Sequence, residues 1–233
     1  MELRTQIKKL SLWIFIIPFI AVNLCLFISV NYHFFENTFF SVDQIGRSGR
    51  TFPYFDGGVS ISRTARTYPT FLIFKPSMIF ASIMLMIYWT KTNKLINYYE
   101  KVDIKNNLFK VFGILSAVFL IIHSILLGVK FDYDLYKFFR RFVLLAFIIF
   151  EIIAQSLLVH RLYKLKRAIL KDFNNYVLYL KIILVCILVI VAIFSLPIVV
   201  TSGNVHFKHA LEWNYFFGVI LFYFFTYLFW KKN

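Results

Sequence analysis

Apolar residues in this chain come in long unbroken runs, and the polar residues are gathered between them. A helix of about 20 apolar residues crosses the hydrocarbon core of a bilayer. Six runs reach roughly that length, at 10–32, 70–90, 108–129, 142–160, 177–200 and 214–230. The pattern predicts an all-α polytopic membrane protein, a bundle of about six transmembrane helices in a single membrane domain spanning 1–233. Most of what is not membrane lies in one outer loop, 33–69. The first run follows Arg4, Lys8 and Lys9, the start of a secretory signal, but it is too long for one and no small-residue cleavage site follows. It therefore reads as an uncleaved anchor. Trp89, Trp213 and Trp230 fall near span ends, where amphipathic rings suit the headgroup layer. Pro18, Pro76 and Pro197 lie inside spans and are expected to kink them.

Composition supports that pattern. The chain is 60% hydrophobic and 16% charged, against about 45–50% and about 25% in soluble domains, so a soluble globule of this size could not hide its apolar surface. Cys25 and Cys186 both fall inside apolar runs and read as small core residues.

Charge then sets the orientation. With the N-terminus inside, the inner segments hold 15 of the 26 Lys and Arg residues and the outer segments 10, Lys181 being left within its span to snorkel inward. This excess places both termini on the cytoplasmic side. The formal charge of +15 is scattered between apolar runs rather than gathered on a stripe, which argues against nucleic acid as a partner. Anionic membrane lipids, or a protein partner at the basic cytoplasmic loops around Lys164, Lys166 and Arg167, fit it better.

Three groups of residues are candidates for chemistry. In the outer loop, Asp56, Gly57 and Gly58 precede a hydroxyl-rich stretch with Ser60, Ser62, Arg63 and Arg66. Guanidinium forks beside hydroxyls suit a phosphate or carboxylate, which gives a lipid-headgroup site; an ordinary capped loop is the alternative. At the start of the sixth span, His206, His209 and Glu212 repeat at i, i+3 and i+6, a spacing that puts neighbours on one helix face. A carboxylate can orient an imidazole as a general base requires, so these three are the candidate catalytic residues. Metal ligation, or polar residues that simply cap the helix, are the alternatives. Within the membrane, His123 and Glu151 are a candidate polar pair, with Gln155 one turn from Glu151. Such a pair could carry protons or hold the bundle together. No motif calls for a cofactor, and no metal is assigned.

The stretch Ser60-Ile-Ser-Arg-Thr-Ala65, then Pro69, then Ile73-Phe74 opening an apolar span, resembles the first luminal loop of the damage-regulated autophagy modulators. Gly113-Ile-Leu-Ser116 is similar to their third span, and His206 to Lys231, with Glu212-Trp213, to their last. Ala65 stands where those proteins have Gly, and Tyr133 to Arg140 lacks the histidine found there. The wider set takes in Frag- and Sfk-type membrane proteins and those that remodel glycosylphosphatidylinositol anchors. The resemblance implies six spans, a cytoplasmic N-terminus and the handling of membrane lipid.

The expected function is therefore an integral membrane protein that binds or remodels a lipid or lipid-linked anchor on the outer or luminal side, whether or not as an enzyme. A non-enzymatic scaffold or regulator of lipid asymmetry is the alternative. A transporter using Glu151 and His123 is a weaker one.

Overall fold

The computed structural model describes residues 2–41, 51–100, 107–129, 134–166, 172–200 and 203–231. Among these, helix dominates and no β-strand forms; Phe173 and Trp230 meet in an isolated antiparallel bridge. The long helices are α1 (Glu2–Val30), α4 (Phe71–Glu100), α5 (Leu108–Leu126), α6 (Asp134–Lys164), α7 (Asn175–Val200) and α8 (Val205–Phe229). Two single-turn helices, α2 (Pro53–Asp56) and α3 (Ile61–Thr64), lie in the stretch expected as loop.

Five helices are long and apolar enough to cross a membrane: α1, α4, α5, Phe138–Lys164 of α6 and Asn175–Ser195 of α7. This fits a multi-pass membrane protein. The remaining long helix, α8, has 25 residues, about 37 Å of helix, but Glu212, Asn214 and several tyrosines dilute its hydropathy. Helices overrun the predicted spans. The first begins at Glu2 rather than 10, and α4 runs to Glu100 rather than 90. Pro18, Pro76 and Pro197 sit inside continuous helices.

Helices α1 and α8 pack together along the bundle, α4 covers α1, and α5 and α6 form the most extensive pair. The centre is aromatic. Trp89, Tyr88, Phe222 and Tyr223 are fully or almost fully buried, and Tyr88 and Tyr223 meet edge to face with ring centroids 5.0 Å apart. Gly113 belongs to this core for want of a side chain, since a Cβ there would stand 2.4 Å from the Trp89 indole.

One end of the bundle gathers both ends of the chain. Lys8 Nζ donates to the Trp230 carbonyl at 2.9 Å, Arg4 pairs with Asp172 at 2.5 Å, and the Tyr99 hydroxyl donates to the same carboxylate at 2.8 Å. We call this the terminal end. At the other, the loop end, α2 and α3 sit against α8 and α1.

Candidate functional site

The loop end is built from the 51–70 segment and the first turns of α8. Asp56 closes the segment on itself. Its carboxylate accepts from Thr51 Oγ1 at 2.9 Å, Phe52 N at 2.9 Å and Gly58 N at 2.7 Å. Slight desolvation pushes this carboxyl up, but the N–H groups of Gly58 and Phe52 and the Thr51 hydroxyl outweigh it, so its pKa falls below the usual carboxylate value. Gly57 follows at φ +59°, and a Cβ there would stand 1.7 Å from the His206 carbonyl oxygen. Ser60 caps α3 by accepting from Arg63 N at 3.2 Å.

The first three turns of α8 hold this segment by its backbone. His209 Nδ1 is hydrogen-bonded to the Gly57 carbonyl at 3.0 Å, Trp213 Nε1 donates to the Val59 carbonyl at 2.8 Å, and Asn214 Nδ2 donates to the Tyr54 carbonyl at 2.8 Å. Glu212 Oε1 accepts from Ser62 N at 3.2 Å. The expected i, i+3 face of His209 and Glu212 is therefore real, and both side chains use it to engage loop backbone. His206 is exposed. Among the described residues, no three His, Cys, Asp or Glu side chains stand close enough to hold a metal ion. Glu212 lies outside the predicted sixth span. Burial of its carboxyl raises the pKa to about 7, against the pull of the Ser62 and Ile61 N–H groups.

Beneath the segment lies a partly open cavity of about 80 Å³, room for several waters or a short stretch of acyl chain. Ile14, Met78, Leu120, Phe147 and Val219 supply much of an almost wholly apolar wall. Ser62 and Glu212 line it from the loop end, His123 from α5, and Glu151 and Tyr223 from deeper in the bundle. Arg63, next to Ser62, and Arg66 lie in α3 and just after it. Partial burial, then the positive fields of Arg140 and Arg63, hold the Arg66 guanidinium below its usual pKa.

No family model, curated protein or solved structure matches the chain.

The expected pairing of His123 with Glu151 takes a different form. Fully buried Glu151 accepts from Ser116 Oγ, from Tyr223 Oη and from Gln155 Nε2 at 3.1 Å. His123 is 5% exposed, and its Nδ1 has no hydrogen-bond partner among the described residues. Seven residues of helix separate His123 from Ser116, about 10 Å, so the two ionisable groups line one cavity at different depths. Gln155 is at Glu151 as expected, and also donates to the Val219 carbonyl at 3.1 Å.

Lys181 also departs from expectation. Instead of snorkelling to an interface, it is fully buried, donating to Thr226 Oγ1 at 2.7 Å with its ammonium 3.9 Å from the Phe222 ring centroid. A hydroxyl and a π-face on α8 satisfy it, with no carboxylate paired to it among the described residues. The sequence signal for this site was the isolated cation in an apolar run; Ser116, Tyr223 and Thr226 had no comparable signal. At the terminal end, Lys166 donates to the Tyr179 hydroxyl at 2.9 Å, while Arg167 of the same expected partner loop lies outside the described residues.

Proposed function

We propose that this is a six-span membrane protein with both termini on the cytoplasmic face, and that its cavity takes the apolar chain of a lipid or lipid-linked anchor from the outer or luminal leaflet. From Asn214 onward, α8 is the sixth span. Its tyrosines and Asn214 reduce hydropathy, but 214–230 is long enough to cross and runs beside α1 to the terminal end.

The observation that carries this reading is the apolar cavity roofed by a tethered polar loop. A chain entering it would meet Met78, Leu120 and Val219, and a headgroup phosphate would lie against Arg63 and Arg66 beside the roof. The resemblance to the damage-regulated autophagy modulators and the anchor-remodelling proteins points to the same class of substrate. The engagement of His209 and Glu212 with loop backbone favours binding or presentation of the lipid over general-base chemistry by these two residues.

The test is a lipidome comparison of source cells lacking the protein, rescued by wild type, by Val219→Phe, which fills the cavity, and by His209→Ala, each shown to insert. Wild type should correct one class of lipid or lipid-anchored product, and Val219→Phe should fail to. A flat lipidome, or full rescue by Val219→Phe, would remove the cavity reading. Full rescue by His209→Ala would remove only its enzymatic form.

A further inference from the structure

The terminal end carries a second cleft, of about 890 Å³, between the first turns of α1 and the last turn of α8. Four basic residues, Arg4, Lys8, Lys9 and Lys231, line it against a single acid, Glu2. Two of the cations also organise the wall. Arg4 pairs with Asp172, and Lys8, bonded to the Trp230 carbonyl, sits 5.0 Å from the Tyr227 ring centroid. Lys9 and Lys231 are exposed. Trp230 also lines the cleft; it is only 3% exposed, and its indole N–H has no acceptor among the described residues. One turn further along α1 the lining becomes apolar, with Leu12 and the half-exposed Trp13.

We propose that this cleft binds the phosphate headgroup of an anionic phospholipid in the leaflet at the terminal end, with its acyl chains descending past Leu12 and Trp13. Four cations against Glu2 and Asp172, the partner of Arg4, leave a net positive field, and a buried N–H donor without an acceptor among the described residues favours a ligand that brings one. The apolar strip selects a lipid over a free anion, because inorganic phosphate leaves Leu12 and Trp13 uncovered. A cation close to an anionic headgroup strengthens binding roughly fivefold, whereas a zwitterionic headgroup gains little from the same field. The site shares no residue with the loop-end cavity and does not depend on it.

The test is native mass spectrometry of the detergent-solubilised full chain, titrated with phosphatidylglycerol and phosphatidylcholine, with inorganic phosphate as soluble competitor. The wild type should retain phosphatidylglycerol in preference by roughly tenfold or more. Lys9→Gln with Lys231→Gln should reduce that preference to about threefold or less; both side chains are exposed, so their loss removes charge without core packing. Lys164→Gln with Lys166→Gln, which takes the same charge from another site, should leave it unchanged. The proposal is overturned if the wild type shows no preference, if the two double variants lose it equally, or if inorganic phosphate displaces the lipid.

Discussion

At the loop end, the segment between α1 and α4 is held by α8 side chains that bond its backbone: His209 to Gly57, Glu212 to Ser62, Trp213 to Val59 and Asn214 to Tyr54. At the terminal end, a short backbone bridge joins the α6–α7 connection to the end of α8, with Asn174 N donating to the Phe229 carbonyl at 2.8 Å and Lys231 N to the Asp172 carbonyl at 3.1 Å. Side-chain charges surround it: Arg4 to Asp172, Lys8 to the Trp230 carbonyl and, between α6 and α4, Arg161 to Glu100 at 3.7 Å. Bonds to successive backbone groups fix a segment in one register, as a roof over a cavity requires. Ion pairs between long side chains tolerate rearrangement and are screened by salt. Both ends are thus positioned through backbone groups, and the terminal end adds a charged rim.

The largest effect should come from breaking the roof. In Gly57→Ala the new Cβ cannot coexist with the His206 carbonyl, and the residue would keep a left-handed φ. A loss of about 2–4 kcal/mol is expected, read as rapid proteolysis within 51–70 while contacts at the terminal end survive.

A smaller effect should follow pH. Folded Glu212 has a pKa of about 7 against an ordinary 4.5, so between these values the folded chain holds a proton that the unfolded chain has released. Its contribution to stability is fully present below pH 4.5 and is lost as pH rises through 7. Protection of the 51–70 amides from hydrogen exchange should therefore decline from pH 5 to pH 8, after correction for intrinsic exchange. Glu212→Gln should flatten that decline, and an unchanged slope in the variant would remove Glu212 as its source.

The smallest effect is expected at the terminal end. Arg4→Gln removes a partly exposed ion pair, worth about 1 kcal/mol or less. The melting difference from wild type should shrink as salt is raised, which the Gly57→Ala difference should not do.

The sequence made the helical spans legible because lipid demands long apolar runs, and it placed His209 and Glu212 on one face because helical spacing does. It could not show what that face meets. The partners are the Gly57 carbonyl and the Ser62 N–H, and backbone groups carry no residue-specific signal. Depth was the second blind spot. Matching His123 to Glu151 required knowing how far α5 slides along α6, and an offset of two turns gave Glu151 to Ser116 instead. Lys181 was visible as an anomaly, but its pairing with Thr226 and the Phe222 ring depends on how α7 packs against α8.

α8 contributes at every level of the bundle, with Trp213 to the roof, Tyr223 to Glu151, Thr226 to Lys181 and Trp230 to Lys8. It also follows the other described long helices out of the ribosome. Until it arrives, Glu151 and Lys181 lack their α8 partners in the nascent chain, and the roof lacks the α8 side chains that hold its backbone. A nascent chain stalled before α8 would therefore present membrane quality control with buried polar side chains still awaiting their partners.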